Sequence, residues 1–438
     1  MDEQISLEQI KRFKEIYNSN PQNKIIENAI TKNGLENACI NRDIIIENQP
    51  VFNIELPESK RYDQKNSVKC WIVAGLNVIK HNIAKNLNID VMDLELSDNY
   101  IAFFDKLEKS NNAYENIIKL ENYDYEYIKK ERIVEYIVTE GGYWDLFVSI
   151  VNKYGLIPYS YNPTVIEGID SQRIERLFTE KVKKDIIELI ELKRNNATIE
   201  LLSETKNRFL EDNYMLLSKI LGEPLYTFDY EYKDKNGEYK RFENLTPIEF
   251  KNKFLSINLQ DFVVIGNLPM YNKEYYKIYR KKYLGNRLCN IQFLNLPIDE
   301  LKELTIKQLK DNTPVFLGAN VYKCRDKQSG VLDTRLYNYK ESFGLDTLTK
   351  EEALNLEDIS NHHRMVFTGV NIISNKPQRW KVEDSYGDKS RFHGYYIMND
   401  NYFDEFVLSV VIDKKYLSIE QLELLNQEPI DIDIYDQF

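Results

Sequence analysis

The order of helical and strand-like patterns along the chain is the feature that most constrains its fold. In the first half apolar residues recur at helical spacing, as at Ile72, Leu76, Ile79 and Ile83. After about residue 225, short runs rich in β-branched and aromatic residues dominate: "FVVIGNL", "TPVFLGANV", "MVFTGVNII", "RWKVEDSYG", "GYYIM" and "FVLSVVI". This segregation predicts an α+β fold in which a helical half and a β-sheet half meet at a cleft.

Composition limits the possible classes of protein. The 438 residues, 42% of them hydrophobic, suffice for one large domain with insertions. No uncharged apolar run approaches the ~18 residues of a spanning helix, so we expect no membrane insertion. The formal charge of −12 argues against a nucleic-acid partner. Cys39, Cys70, Cys289 and Cys324 lie far apart, which predicts neither disulfides nor structural zinc and favours a reducing cytoplasm.

One cysteine lies where a helix is predicted to begin. Cys70 opens the apolar stripe in "DQKNSVKCWIVAGLNVIK", and Ser67 is a candidate N-cap. A helix N-terminus lowers the pKa of a thiol, although a free cysteine is more often a small buried apolar side chain. A nucleophile also needs a base. His81 lies on the same helix, roughly 16 Å further along at the helical rise per residue, and is out of reach.

A second pattern brings a histidine and an acid to neighbouring strands. His362 and His363 precede "RMVFTGVNII", and "WKVEDSYGD" supplies a second strand that ends at Asp384. If the strands pair in antiparallel fashion, Asp384 lies beside His363, where a carboxylate orients an imidazole; a solvated histidine is the alternative. Gln64, six residues before Cys70, has an amide suited to an oxyanion hole, although a lone Gln is commonly a polar loop residue.

Three segments carry a family resemblance. "QKNSVKCWIVAGLN" resembles the pattern Q-x-x-S-G-R-C-W-x-F-A-x-L-N, "HHRMVFTGV" is similar to T-H-A-M-V-L-T-G-V, and "WKVEDSYGD" is similar to W-K-V-E-N-S-W-G-D. These are motifs of the bleomycin hydrolase/aminopeptidase C family of papain-like cysteine peptidases. Further likeness in "GGYWDLFVSIVNKYG", "SGVLDTRLYNYKESFG" and "VVIDKKYL" extends the resemblance over nearly the whole chain.

The resemblance implies a cytoplasmic cysteine aminopeptidase with a papain-like fold that carries helical and hairpin insertions. It implies Cys70 as the nucleophile, His363 rather than His362 as the base, and Asp384 as the residue that orients His363. Gln64 and the Cys70 backbone N–H would hold the oxyanion. Peptides are the expected substrates, and no metal or organic cofactor is needed.

The resemblance also implies a substrate-binding segment, a blocking tail and an oligomer. Gly141 and Gly142 resemble the segment that pairs with the substrate backbone; a plain turn before a helix is the alternative. The tail "EPIDIDIYDQF" alternates Ile with Asp, which predicts an extended strand. In the family the terminal carboxylate, here on Phe438, holds the substrate's α-amino group; a solvated chain end is the alternative. The family's insertions build a homohexamer, and we expect the same assembly.

Two departures from the motifs leave a rival interpretation open. Val68 replaces a glycine, and a β-branched residue cannot cheaply take a left-handed conformation. Asp384 replaces an asparagine, which predicts a raised pKa for His363. The alternative function is therefore a catalytically weak homologue that acts as an oligomeric peptide-binding scaffold. A zinc aminopeptidase is disfavoured because the chain contains no H-E-x-x-H motif.

We expect a single papain-like peptidase domain over residues 1–438. Asn236-Gly237, between alternating aromatic and polar residues, is its clearest hairpin signal. The predicted parts are an N-terminal extension (1–60), a helical half with the nucleophile (61–165), an inserted helical arm and hairpin (166–255), a β-rich half with the His and Asp (256–425) and a C-terminal tail in the cleft (426–438).

Overall fold

The computed structural model describes residues 4–65, 67–130, 141–163, 171–281, 291–387, 392–433 and 436. In these ranges no helix combines the length and the apolar character needed to cross a membrane. The N-terminal extension consists of helices α1 (Leu7–Ser19), α2 (Pro21–Asn33), α3 (Leu35–Cys39) and α4 (Arg42–Glu47), followed by the short strand β1 (Ile54–Glu55). A capping box at Ser6 begins α1, and neither α1 nor α2 contains a buried residue.

The helical half is built around a buried central helix. Its helices are α5 (Cys70–Leu87), α6 (Asp98–Lys119), α7 (Tyr125–Lys130) and α8 (Trp144–Tyr154). Helix α5 is apolar over most of its surface because it contacts α6, α8 and the sheet. The predicted N-cap is wrong: Lys69 precedes the helix without a side-chain cap, and the Ser67 hydroxyl instead donates to the Gln64 carbonyl at 2.6 Å.

Two long helices and a hairpin follow in the middle of the chain. They are α9 (Ser171–Arg194), α10 (Ile199–Leu221), β2 (Phe228–Lys233), β3 (Tyr239–Leu245) and α11 (Pro247–Phe254). Helices α9 and α10 pack on α6 through a separate apolar cluster that includes Phe178, Ile186, Phe209 and Leu217. The hairpin is confirmed, and Gly237 takes a positive φ of 80° in its turn.

One large mixed sheet forms the second half. Its strands after β1 are β4 (Phe262–Gly266), β5 (Lys277–Lys281), β6 (Ile291–Asn295), β7 (Val315–Ala319), β8 (Arg325–Asp326), β9 (Val331–Leu332), β10 (His363–Ile373), β11 (Lys376–Glu383), β12 (Tyr395–Asn399), β13 (Val407–Asp413) and β14 (Ile430–Ile432). The spatial order is β14-β5-β6-β4-β13-β7-β10-β11-β12-β9-β8, and β1 also pairs with β10. The central strands β13, β7, β10, β11 and β12 run antiparallel to one another in sequence of pairing.

Short helices cover the sheet, and the tail closes one edge of it. The helices are α12 (Ile298–Lys310), α13 (Tyr339–Phe343), α14 (Lys350–Asn355), α15 (Asp400–Phe406) and α16 (Ile419–Leu424). The predicted extended tail is confirmed by β14, which pairs in parallel with β5, with Ile430 opposite Tyr279. The strand therefore fixes the start of the tail to the sheet.

A buried ion pair joins the two halves. Lys80 of α5 lies 3.4 Å from Glu383, the last residue of β11, and both side chains are almost fully buried. The Lys80 ammonium also donates to the Lys60 carbonyl at 3.0 Å and to the Asn77 side-chain oxygen at 2.5 Å. A buried ion pair persists only when its remaining hydrogen bonds are satisfied, as they are at Lys80. The pair fixes α5 relative to the end of β11.

Candidate active site

A histidine and an aspartate meet where two central strands begin and end. Strand β10 starts at His363, and the antiparallel β11 ends one residue before Asp384, with Val366 opposite Glu383. The His363 Nε2–H donates to Asp384 Oδ1 at 2.8 Å, and both residues are buried. The strand pairing expected from the sequence therefore places the carboxylate against the imidazole.

Cys70 completes the cluster from the other half of the molecule. It is the first residue of α5, is only 4% exposed, and belongs to the helix that packs against β10. Burial alone would raise the pKa of its thiol. The hydrogen bond and charge of His363, with the backbone N–H and charge of Arg364, outweigh burial, and the pKa of Cys70 is lowered. The thiol is therefore set up to ionise more readily than an ordinary cysteine.

The imidazole of His363 is held in its charged form. Burial would lower the pKa of His363, but the charge and hydrogen bond of Asp384, together with Cys70, raise it to about 10. The Tyr386 ring lies nearly parallel to the imidazole, with a centroid distance of 5.9 Å and an angle of 15°. Tyr386 thus covers the histidine from one side. A cysteine, a charged imidazole and a carboxylate in this order form a group suited to nucleophilic catalysis.

The adjacent histidine lies in a different environment. The His362 ring stacks on Tyr322 at a centroid distance of 4.0 Å, and its Nδ1–H donates to the Ser360 carbonyl at 3.1 Å. Burial lowers the pKa of His362 to about 4, so the ring is neutral at neutral pH. Of the two histidines, the structure brings His363 to Asp384 and leaves His362 against Tyr322.

Gln64 lies in the loop before α5 and is fixed to the loop that carries the aspartate. Its backbone N–H donates to the Ser385 carbonyl at 2.7 Å, and its own carbonyl accepts the Ser67 N–H at 3.0 Å. The side-chain Oε1 is buried without a hydrogen-bond partner in the described part of the chain. Val68, which replaces a motif glycine, does not have a positive φ, so the substitution imposes no left-handed strain.

Gly142, the second of the two glycines before α8, lies against Trp71, the residue that follows Cys70. A side chain on Gly142 would collide with the Trp71 ring, since its Cβ would lie 2.4 Å from the ring carbons. Gly141 has open space around the position of a Cβ, and its carbonyl accepts from Lys109 Nζ at 2.9 Å. The backbone of this segment therefore runs close beside the Cys70–Trp71 pair.

The tail reaches the same neighbourhood through two lysines. Phe438 lies outside the described residues, but Asp436 forms an ion pair with the buried Lys273 at 2.6 Å. Lys281 donates to the Asp436 carbonyl at 2.5 Å, and its ammonium lies 6.0 Å from the ring centroid of Tyr143, the residue after Gly142. These contacts hold the tail near the glycine segment.

Several residues around the site were not found from the sequence. Lys109, Lys273 and Lys281 support the glycine segment and the tail, and Arg364 lies directly after His363. A charged residue at the start of the otherwise largely apolar predicted strand "RMVFTGVNII" was the available signal for Arg364. In the part of the chain that the structure describes, no cluster of three or more His, Cys, Asp or Glu side chains could hold a metal ion.

Comparison with known proteins identifies the family. Residues 4–438 match the model of the Peptidase C1-like family. Aminopeptidase C of Listeria innocua is 35% identical over 444 residues, covering 100% of this chain and 98% of that protein. Aminopeptidase G of Lactobacillus delbrueckii subsp. lactis is 32% identical, covering 100% and 99%. The crystal structure of PepW from Lactobacillus rhamnosis is 34% identical with a TM-score of 0.94, covering 100% of this chain and 99% of that one.

The chain belongs to the Peptidase C1-like family. Its predicted membership of the bleomycin hydrolase/aminopeptidase C group is confirmed by the full-length aminopeptidase C relatives. The α+β papain-like fold is likewise confirmed. The chain is a cysteine-type aminopeptidase.

Proposed function

We propose that this enzyme removes single residues from the N-termini of peptides through a thiolate–imidazolium pair formed by Cys70 and His363. The observation that carries the proposal is the 2.8 Å hydrogen bond from His363 to Asp384, at the point where the N-terminus of α5 presents Cys70 to β10. The lowered pKa of Cys70 and the raised pKa of His363 support transfer of the thiol proton to the imidazole.

The first half of the reaction forms a thioester. The Cys70 sulfur attacks the carbonyl carbon of the first peptide bond, and a negative charge develops on the carbonyl oxygen. His363 then donates its proton to the amide nitrogen, the C–N bond breaks, and the shortened peptide leaves with a free N-terminus. Asp384 stays ionised and keeps the imidazole aligned.

The second half returns the enzyme to its starting state. His363, now neutral, takes a proton from a water molecule as the water oxygen attacks the thioester carbonyl. The C–S bond breaks, the free amino acid leaves, and the thiolate–imidazolium pair is restored. The same imidazole therefore acts first as an acid and then as a base.

Gln64 and the Cys70 backbone N–H are the proposed oxyanion donors. The first turn of a helix leaves backbone N–H groups without partners, and Cys70 is the first residue of α5. Gln64 is anchored to Ser385 and Ser67, so its position relative to Asp384 and to the helix start is set by the fold. Fixed donors stabilise developing charge at no cost in reorganisation.

The tail and the glycine segment are the proposed determinants of exopeptidase specificity. Gly141 and Gly142 would pair with the substrate backbone, and the tail would block the positions before the first residue. The proposal is supported by Lys281, which donates to the Asp436 carbonyl and lies 6.0 Å from the ring centroid of Tyr143, next to Gly142. A terminal carboxylate on Phe438 would then pair with the substrate's α-amino group. Acetylation removes that amine's charge and should prevent binding.

We also propose that the enzyme is a homohexamer in the cytoplasm. Helix α1 presents an apolar row to solvent, and its Leu7 is 88% exposed; Ile10, Phe13 and Ile16 belong to the same row. An apolar helix face on the surface is typical of an interface, and a second copy of this chain is the partner we propose. The four widely separated cysteines and the free nucleophilic thiol fit a reducing compartment. Native mass measurement and cell fractionation test these two points.

The decisive experiment separates an enzyme from a peptide-binding scaffold. An aminoacyl fluorogenic amide is offered to the purified chain before and after treatment with iodoacetamide, and the alkylated residue is located by peptide mass spectrometry. We expect turnover that is lost in proportion to the alkylation of Cys70. Peptide binding without turnover would support the scaffold. Loss of activity on chelation, with recovery on addition of zinc, would support the metallopeptidase instead.

A further inference from the structure

Arg364 is a buried arginine inside the active site. It follows His363 in β10, pairs with Gly318 of β7 and is 5% exposed. Its Nη1 donates to the Asn361 carbonyl at 2.6 Å and to the Asn361 side-chain oxygen at 2.9 Å. The guanidinium carbon lies 5.0 Å from the centroid of the Tyr143 ring. Hydrogen bonds on one side and an aromatic ring on the other fix the position of the charge.

The residue that holds Arg364 is itself oriented by the sheet. Asn361 Nδ2 donates to Ser409 Oγ of β13 at 3.0 Å, which leaves the side-chain oxygen turned toward the guanidinium. Gly318 makes this arrangement possible: a Cβ there would lie 2.1 Å from Asn361 Oδ1 and 2.6 Å from Ser409 Oγ. The residues that surround Arg364 therefore come from β7, from β13 and from the loop before β10.

The positive charge of Arg364 is not matched by a carboxylate. Among the described residues no Asp or Glu forms an ion pair with it, although a buried arginine ordinarily has a partner. Burial lowers the pKa of Arg364, and the groups that oppose this effect are Tyr143 and Cys70. In return the charge of Arg364 lowers the pKa of Cys70. Cys70 is therefore an acidic group on which the charge of Arg364 acts, and the backbone of Arg364 hydrogen-bonds to it.

The other charged groups near Cys70 have partners of their own. His363 is hydrogen-bonded to Asp384, and Lys69, which precedes α5, lies 3.3 Å from Asp98 of α6. Among the described residues, further titratable groups interact with the cluster: the phenols of Tyr143, Tyr386 and Tyr396, the imidazole of His362 and the guanidinium of Arg325. Burial raises the pKa of the Tyr386 phenol, which is therefore neutral at neutral pH.

Charge balance explains why a second cation is needed. With Cys70 as thiolate and His363 as imidazolium, the ionised Asp384 adds a second buried anion. The motif quoted above has a neutral Asn in place of Asp384 and an Ala in place of Arg364. With both Asp384 and Arg364 present, the cluster holds two anions, Cys70 and Asp384, and two cations, His363 and Arg364. Asp384 without Arg364 would leave a net negative charge, which opposes ionisation of the thiol.

We propose that Arg364 is a positioning residue that holds Cys70 as a thiolate by balancing the charge of Asp384. The proposal rests on the thiolate–imidazolium mechanism proposed above. It assigns to Arg364 no contact with substrate, so its removal should act on the ionisation of Cys70 and not on the choice of the N-terminal residue.

The test measures the rate of Cys70 alkylation by iodoacetamide between pH 4 and 10 in the full-length enzyme, with the modified peptide quantified by mass spectrometry. Arg364→Met removes the charge, and Arg364→Lys is the matched variant that retains it. We expect Arg364→Met to raise the pH midpoint of alkylation by about 1 unit, which makes alkylation about tenfold slower below the midpoint, while Arg364→Lys stays close to wild type. In the double variant with Asp384→Asn, one anion and one cation are lost, and the midpoint should return toward the wild-type value.

Three results would overturn the proposal. An Arg364→Met midpoint equal to that of wild type excludes a counter-charge role, and so does a shift of the same size in Arg364→Lys. A loss of kcat/KM confined to substrates with N-terminal Glu, without a change of midpoint, would make Arg364 a substrate-binding residue. If Arg364→Met does not fold, Arg364→Gln carries the same prediction. A wild-type midpoint near the ordinary thiol value of about 8.5 would instead contradict the thiolate–imidazolium mechanism itself.

Discussion

The cluster around Cys70 and the C-terminal tail differ in how firmly they are held. His363 and Asp384 are buried on central strands, and the helix that carries Cys70 is fixed to the same region by the buried Lys80–Glu383 pair. The tail is held by the three-residue strand β14, at the edge of the sheet, and by the lysine contacts of Asp436. The reacting groups are therefore rigid, whereas the described part of the tail lies at the edge of the sheet.

This difference separates two properties of the enzyme. Rate depends on atoms that must stay aligned to within a fraction of an ångström, which suits buried strands and helices. In the proposed function, substrate choice depends on whether the tail occupies the positions before the first residue of the peptide. Removal of Cys70 or His363 should abolish turnover of every substrate, while changes in the tail should alter which peptides are cut.

Cys70→Ala should have the largest effect. It removes the nucleophile and only a small volume, so we expect peptide hydrolysis to fall by at least about 10³-fold without unfolding of the chain. Aminoacyl amide hydrolysis and thermal melting measure the two effects. Cys324→Ala is the matched control, since burial raises the pKa of that thiol to about 11 and it lies outside the cluster. Retained turnover in Cys70→Ala would refute the cysteine mechanism.

The two adjacent histidines should respond very differently to the same change. His363→Ala removes the acid and base and should lower kcat by about 10³-fold or more. His362→Ala removes a neutral ring stacked on Tyr322 and should keep most of the activity. Equal losses of kcat in the two purified, folded variants would leave the assignment of the base without support.

Asp384→Asn should change the pH dependence more than the maximal rate. Despite burial, the charge and hydrogen bond of Asp384, together with Cys70, raise the pKa of His363 to about 10, so the imidazolium persists until the pH rises through that value. A neutral amide stabilises imidazolium less, and the alkaline midpoint of kcat/KM should fall by about 1 unit or more. Asp436→Asn makes the same chemical change in the tail and should leave the midpoint in place. An unchanged midpoint in Asp384→Asn would contradict the pairing.

Loosening the tail should have the smallest effect on rate. Asp436→Asn weakens the ion pair with Lys273, and we expect about a tenfold loss in the preference for a free over an acetylated N-terminus, with little change in turnover of the free peptide. Glu428→Gln, an exposed tail residue, is the matched control. Truncation after Ile434 extends the same test. If both peptides keep their wild-type rates after truncation, the tail has no part in specificity.

The large elements were predictable because they depend on local pattern. Helix α5, the hairpin and strands β7, β10, β11 and β13 follow from apolar spacing and turn residues. Strand β5 was not predicted because its charged residues interrupt the apolar pattern of a strand. In the structure these charges have partners: Arg280 pairs with Asp431 at 2.6 Å, and Lys281 donates to Asp436. Those partners lie more than 150 residues away in the chain. A strand whose charges are neutralised by the distant tail cannot be recognised from its own short stretch of sequence.

Prediction of the active site from the sequence was limited in the same way. The approach of His363 to Asp384 followed from strand lengths and antiparallel pairing. The motif also singled out Cys70 and Gln64. Nothing local indicates that Arg364 is buried without a carboxylate, because its environment is set by Asn361, Tyr143 and Cys70 together. The N-cap of α5 was also predicted wrongly from the local sequence, because the Ser67 hydroxyl donates to the Gln64 carbonyl instead of capping the helix.

Aminopeptidase action is tested most directly by offering the wild-type enzyme one peptide in two forms, with a free and with an acetylated N-terminus. Products are followed by mass spectrometry over time. We expect stepwise loss of single residues from the free peptide and no cleavage of the acetylated one. Internal cleavage of the acetylated peptide at a comparable rate would show that neither the tail nor the α-amino group selects the bond, and would contradict the proposed aminopeptidase mechanism.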